Sequence, residues 1–314
     1  MTKYAVISDI HGNLPAFQAV LEDVREQKVD NFILLGDYIF DLPWPNEVAS
    51  LLRSLGKTVA VQGNKEGYLR AVRGQDQRQW IYDQYAALYW NTRHLTERNL
   101  TFLTDLPEKI ALECEETPLY IAHSPETLFG KTQASELNGS RYEQHRTRKH
   151  SFSHADYLAF AQKTVQDDAR LAGLARGIYL FGHYHTQWHA RVNESVLINP
   201  GSCGMPTDND NSAAYTIVEI SKQGCAVTER RVAYDIERTI SALKKSSLYA
   251  EANVWSDINI IHLRQGQEII RKFFSHLERE AHKAGEKTHP FSNETWNILG
   301  EKWLAAYRDG QHEP

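Results

Sequence analysis

Residues 4–15 read Tyr-Ala-Val-Ile-Ser-Asp-Ile-His-Gly-Asn-Leu-Pro. Tyr4 to Ser8 is a short apolar run ending in polar residues, the mark of a buried strand. Asn13 is placed to cap a following helix, with Pro15 just inside its start. Leu14, Phe17, Leu21 and Val24 share one face of that helix at 3.6-residue spacing. Phe32-Ile-Leu-Leu35 makes a second strand that closes on Gly36-Asp37. A helix is expected over 46–55, and a third strand over 58–61 closes on Gly63-Asn64. Strand, loop, helix, strand is the grammar of a doubly wound α/β sheet.

Downstream, residues 67–106 read as helical and rich in Tyr, Trp and Arg. Strands return over 109–112 and 119–122, the second running into His123. Residues 124–176 read as an insertion. Arg141, Arg146, Arg148 and Lys149 stand there against Glu143, with His145, His150 and His154 interleaved, and a helix is expected over 155–172. Strands resume over 178–181, 195–199, 214–220 and 226–232. No long helix separates these late strands, which predicts a second, more antiparallel sheet. After Tyr234 the pattern is entirely helical. Ile258, Ile261, Ile269, Phe273 and Leu277 suggest one amphipathic helix, and Trp296, Leu299, Trp303 and Tyr307 another.

The 314 residues, 41% hydrophobic and 24% charged, are enough to bury a sizeable core, which excludes disorder for most of the chain. A net charge of -5 argues against bulk attraction to nucleic acid or an anionic membrane. Three cysteines with no C-x-x-C pair argue against a disulfide framework or a cysteine zinc cluster, and make a reducing, cytoplasmic setting the default. Asp9 breaks the first apolar run too early for a signal peptide. No stretch reaches the roughly 20 apolar residues of a membrane span.

Five short motifs stand at the ends of predicted strands: Asp9-Ile10-His11, Gly36-Asp37, Gly63-Asn64, His123 and Gly182-His183-Tyr184-His185. Each alone is a weak signal, since a Gly-Asp after a strand is usually a turn and a lone His is usually structural. Together they gain meaning, because the C-terminal ends of strands in an α/β sheet converge on one edge, where ligands bind. Two carboxylates, four imidazoles and one amide would share one crevice there. Unpaired carboxylates repel and imidazoles need partners, and a pair of cations satisfies both. Oxygen and imidazole donors without thiolate favour Mn, Fe, Zn or Ni.

The ordered set D-x-H, G-D, G-N, H and G-H-x-H resembles the calcineurin-like metallophosphoesterase superfamily, most closely its small bacterial phosphodiesterase branch. Asn199-Pro-Gly-Ser202 resembles that branch as well, and the resemblance covers roughly residues 3 to 233. It implies a two-sheet α/β sandwich of α/β/β/α type in residues 1–234; the helical extension over 235–314, read from its own apolar pattern, lies outside the resemblance. It also implies two divalent or trivalent metal ions, with Mn expected to support activity. Asp9, His11 and His185 would hold the first, and Asn64, His123 and His183 the second. Asp37 would bridge them. A hydroxide between the metals would attack a phosphoester or phosphoanhydride of a small phosphorylated substrate.

One position departs from the family pattern. Many members have His where this chain has Lys65, in Gly63-Asn64-Lys65-Glu66. Asn64 and Lys65 are the catalytic candidates. Lysine, with a pKa near 10.4, is a poorer acid at neutral pH than histidine; equally, Lys65 could point to solvent or pair with Glu66. Alkoxide leaving groups need a proton, whereas phosphate, nucleotide and aryl groups need it much less. The substitution therefore favours diesters or anhydrides such as dinucleoside polyphosphates.

Asn13, Tyr184 and Arg148 are candidate substrate contacts. For each there is a plainer reading: a helix cap, packing behind the metals, and a solvated charge run. Asp41, Trp44 and the aromatic stretch 80–90 could form a stacking wall for a base. The apolar stripes of the tail predict docking on a sheet edge or a homo-oligomer interface. The rival functions are a phosphomonoesterase or phosphoprotein phosphatase of the same fold, and a non-catalytic metal-binding scaffold. Seven intact ligands argue against the scaffold. A nuclease is disfavoured by the absence of a long basic stripe.

Overall fold

A computed structural model of the chain describes residues 1–148, 151–286 and 289–309. The first half runs β1 (Thr2–Ile7), α1 (Leu14–Glu26), β2 (Asn31–Leu34), α2 (Pro45–Ser54), β3 (Thr58–Ala60), α3 (Asn64–Val72), α4 (Ala86–His94) and α5 (Glu97–Thr104). It continues through β4 (Lys109–Cys114), β5 (Thr117–Ala122), α6 (Pro125–Phe129), α7 (Gly139–Arg148) and α8 (His154–Asp167). Five strands follow: β6 (Ile178–Leu180), β7 (Gln187–Val192), β8 (Ser195–Pro200), β9 (Ala213–Ser221) and β10 (Gly224–Val232). The tail is α9 (Ile236–Lys245), α10 (Ser247–Glu251), α11 (Asn253–Gln265), α12 (Ile269–Lys283) and α13 (Asn293–Arg308).

The strands form two five-stranded mixed sheets, ordered β10-β9-β1-β2-β3 and β4-β5-β6-β8-β7. Period-two alternation builds the layers. Val6 of β1, Ile33 of β2 and Leu35 just after it face the second sheet's Leu119, Ile121, Leu180 and Ile198. Their neighbours Ala5, Ile7, Phe32 and Leu34 face helices carrying Phe17, Val20 and Ile258. The outer face of the second sheet, with Phe181, Trp188 and Leu197, is covered by Tyr142, Tyr157 and Val165 of α7 and α8. The result is an α/β/β/α sandwich with C-terminal helices.

Three details differ from the sequence expectations. Residues 124–176 are the crossover that parallel pairing of β5 with β6 requires, and their helices form the outer layer. The late strands divide between the sheets: β9 joins the first by antiparallel pairing to β1, and β10 pairs antiparallel with β9 at its edge. The stripe from Ile258 to Leu277 is two helices, because Gly266 ends α11 at φ +61, the left-handed conformation that glycine adopts without a Cβ penalty. Moreover, Ile269, Phe273 and Leu277 are fully buried within this chain, so this stripe is covered by the chain's own core. No helix among the described residues is long and apolar enough to cross a membrane.

Candidate metal centre

Parallel register sets the site. Ile7 pairs with Leu34, and Leu34 with Ala60, so the loops after β1, β2 and β3 leave the sheet level with one another. In the second sheet Ile121, Leu180 and Ile198 are likewise level, so His123 and His183 emerge together. The first two loops run side by side through bonds from Asp9 N to Gly36 O and from His11 N to Asp37 O, both 3.0 Å. Asp9, His11, Asp37, His183 and His185 all have positive φ, between 52° and 74°. Side-chain-bearing residues adopt this conformation at a cost of about 1–2 kcal/mol each, and only where surrounding structure holds them.

The surroundings do hold them. Glu66, buried in the first turn of α3, accepts from the amides of Asp37 (2.9 Å), Tyr38 (3.0 Å) and Gly63 (2.8 Å). Asp37 Oδ1 accepts from Lys65 N at 2.8 Å, and Asp9 Oδ2 from His183 N at 3.0 Å. At Gly182 a Cβ would lie 1.9 Å from Ser8 Oγ and 2.5 Å from Asp9 Oδ2, so the two sheets meet here only because the side chain is absent.

The donor atoms gather into two groups. In the first, His185 Nε2 is 3.0 Å from His11 Nε2 and 3.1 Å from Asp9 Oδ1. In the second, Asn64 Oδ1 is 3.0 Å from His123 Nε2 and 3.1 Å from His183 Nδ1, and those two nitrogens are 3.3 Å apart. Asp37 stands between the groups. Its Oδ2 lies 3.9 Å from His11 Nε2 and its Oδ1 3.5 Å from His123 Nε2.

The far ring nitrogens fix the tautomers. His123 Nδ1 donates to Leu35 O at 2.7 Å and His185 Nδ1 to Met205 O at 2.6 Å. His11 Nδ1 lies 2.5 Å from Asp41 Oδ2. Rings held this way turn Nε2 of His11, His123 and His185 and Nδ1 of His183 toward one another and toward two carboxylates. Asp9 Oδ1 is buried without a hydrogen-bond partner. Such an array repels itself unless positive charge sits in it. Atoms bound at about 2.0–2.2 Å to one cation lie roughly 3.0–3.5 Å apart, which the short separations here match. The residues therefore fit two metal ions.

The electrostatics agree. Burial opposes ionisation of Asp9, but His185 and His11 hold its carboxyl well below the usual range. Burial likewise opposes charging of His11, yet Asp41, Asp9 and Asp37 push it up to about 10, and Asp37 and Asp9 raise His123. His183 is drawn down to about 4 by burial and by His123 beside it.

Lys65 neither faces open solvent nor pairs with Glu66. Half-buried, it places Nζ 4.5 Å over the Phe40 ring and 5.8 Å from that of Tyr68. Burial lowers its pKa, but Asp41 and Asp37 more than offset this and keep it charged. Asn13 is fully buried. Its Oδ1 caps α1 through Ala16 N at 3.2 Å and its Nδ2 donates to Gly204 O and Tyr234 OH, both 3.0 Å, so it holds structure and does not line the cleft. Tyr184 donates from its hydroxyl to Glu126 and sets its ring edge-on to His183. Arg148 is exposed at the end of α7, outside the cleft lining. Arg146 is held by Glu143 at 2.7 Å and Arg141 by Glu136 at 3.4 Å. Lys149 and His150 lie outside the described residues.

Asp41 is not part of a stacking wall. It is the buried carboxylate behind His11, and it also accepts from Trp255 Nε1 at 2.7 Å. Trp255, His262, Glu268 and Ile270 of the tail line the cleft with Lys65. None of these tail residues carried a sequence signal, because their contact with the site spans most of the chain. Glu66 was legible only as a neighbour of Lys65.

Comparison with known proteins agrees with this geometry. The model of the calcineurin-like phosphoesterase superfamily domain matches residues 2–223. An uncharacterised protein of Methanocaldococcus jannaschii is 27% identical over 261 residues, spanning 78% of this chain and 93% of that protein. The crystal structure of a metallophosphoesterase from Sphaerobacter thermophilus has a TM-score of 0.58 at 23% identity, covering 84% of this chain and 100% of that one. A hypothetical protein of Pyrococcus horikoshii gives 0.60 at 20%, covering 85% and 99%. The two structures share the fold. The chain belongs to the calcineurin-like phosphoesterase superfamily and is a metal-dependent hydrolase of phosphoesters.

Proposed function

We propose that this member of the superfamily uses two metal ions to hydrolyse phosphodiesters or phosphoanhydrides with good leaving groups, nucleotides such as dinucleoside polyphosphates among them. The observation that carries the reading is Asp37, whose two carboxylate oxygens face separate groups of donors. Asp9, His11 and His185 would hold one ion, and Asn64, His123 and His183 the other. Bound there, the ions supply an activated water and draw charge from the phosphoryl oxygens. Asp41 holds the proton on His11 Nδ1, so that Nε2 stays a ligand. Glu66 fixes the Asp37 loop through three amides. Lys65 contributes fixed positive charge at the cleft wall, where it attracts a phosphate without having to give up its proton. Substrates that leave as stable anions suit that arrangement. The three cysteines are unpaired, and a cytoplasmic setting belongs to the same reading.

The test is hydrolysis of bis(p-nitrophenyl) phosphate by protein stripped of metal and reloaded with Mn²⁺, alongside Fe, Zn and Ni, with Asp37→Asn as control. Turnover with two ions per wild-type chain, abolished by the substitution, is expected. Two bound ions without turnover on this ester or on dinucleoside polyphosphates favours the scaffold instead.

A further inference from the structure

A second cavity opens beside the metal cleft. It measures 590 Å³, inside the range of about 300–1,000 Å³ usual for small-molecule sites. Lys65, Trp255 and Ile270 line both spaces, so the two adjoin. Part of the lining comes from α4 and the segment leading into it, with Tyr82, Tyr85 and Tyr89; another part is Trp255 and Phe274 of the tail. These rings meet edge to face: Tyr82 with Tyr85 at 80°, Tyr85 with Tyr89 at 79°. Tyr89 has one face stacked on Trp80 at 5.1 Å, so the more exposed rings of the lining are the ones left to meet a planar guest. Two tyrosines of the lining, Tyr68 and Tyr85, are 48% and 37% exposed, high for such large rings and in keeping with a mouth.

We infer that this cavity is the subsite for a nucleobase of the substrate, with Lys65 marking where base side and phosphate side meet. The inference rests on the proposed hydrolase reading for the phosphate end. Three observations select a base. Among the described residues the lining holds no carboxylate, and Lys65 is its one permanently charged side chain, which suits a neutral group attached to an anion. Aromatic rings dominate it, and base stacking on such rings is favourable whatever the base. Gln75, Gln79 and Gln84 add amides: Gln75 Nε2 donates to Ala71 O and Gln84 Oε1 accepts from Phe291 N, which leaves Gln75 Oε1, Gln84 Nε2 and Gln79 to match the polar edge of a heterocycle. The tail thus completes the substrate site.

The test is calorimetric titration of the Mn²⁺-loaded full chain with AMP, ribose 5-phosphate and octyl phosphate. All three are alkoxide monoesters, the poorest leaving groups for this site, so binding is read without turnover. AMP is expected to bind at least tenfold tighter than ribose 5-phosphate. In Ala71→Trp, which fills the cavity from α3, and in Tyr85→Ala, which removes a wall, that preference should fall below threefold. Retention of two metal ions per chain shows that each variant is folded. AMP and ribose 5-phosphate binding alike to wild type overturns the inference, and so does octyl phosphate binding tighter than AMP, which would make this an acyl pocket. Bis(p-nitrophenyl) phosphate separates the two proposals. Turnover without AMP preference sinks the base subsite alone, whereas AMP preference with no turnover of this ester or of dinucleoside polyphosphates sinks the hydrolase reading and leaves a nucleotide-binding site.

Discussion

Trp255 donates its indole N–H to Asp41 Oδ1 at 2.7 Å, and the other oxygen of the same carboxylate lies 2.5 Å from His11 Nδ1. A residue of the tail thereby holds the carboxylate that faces a residue of the first loop.

Asp41→Asn removes the anion that keeps the proton on His11 Nδ1. Loss of such a partner lowers metal affinity about 10–100-fold, and Trp255→Phe should lower it less. Mn²⁺ titration of stripped protein measures both. If Asp41→Asn binds two ions as tightly as wild type, the carboxylate has no such role.

Two glycines should respond in opposite directions. A Cβ at Gly182 meets Ser8 and Asp9, whereas one at Gly67, inside α3, meets nothing within 4 Å. Gly182→Ala is expected to destabilise by about 1–3 kcal/mol through overpacking. Gly67→Ala should stabilise by about 0.5–1 kcal/mol through helix propensity. Urea denaturation of the pair decides it, and equal effects would refute the close approach of the sheets.

Lys65→Met separates charge from proton donation. If Lys65 supplies charge alone, kcat/KM falls by a similar factor for phosphodiesters with aryl and with alkyl leaving groups, about tenfold or more. If it protonates the leaving group, the alkyl series falls far more steeply. Plots of rate against leaving-group pKa, with and without the substitution, show which holds.

His262 gives a pH signature. Burial, with His185 nearby, draws it down to about 4, and its Nε2 donates to Pro206 O at 2.8 Å. The unfolded chain, with a His pKa near 6.5, takes up this proton first as pH falls. The stability contributed by neutral His262 is therefore complete above about pH 6.5 and declines toward pH 4, by about 2 kcal/mol at pH 5. Compared in chelator, the stability difference between wild type and His262→Asn should shift by that amount, to the disadvantage of wild type, between pH 7.5 and pH 5. A constant difference would rule out the assignment.

Where the chemistry sits was legible because strand ends are local. An apolar run closing on Asp9-x-His11 or Gly36-Asp37 announces both the strand and the group it carries, and the structure brings all seven proposed ligands together. β7 went unread although Trp188, Ala190 and Val192 alternate with His189 and Arg191, since six residues directly after Gly182-His183-Tyr184-His185 look like loop. The pairing of β9 with β1 and the docking of the tail were not legible. Both depend on surfaces more than 200 positions away, and nothing in the local pattern of Ala213–Ser221 or of α11 names them.

β1 lies between β2, which follows closely in sequence, and β9, so that Thr2 pairs with Ile220. A ribosome adding about 5–20 residues per second needs roughly 10–40 s to make the ~200 residues between the two. Throughout that interval the nascent chain carries the first strand of its sheet with one side unpaired, an edge of the kind that recruits other chains. Biogenesis of this protein is therefore most exposed to aggregation before its final third is synthesised, and a chaperone that shields the emerging N-terminal strand would act on that window.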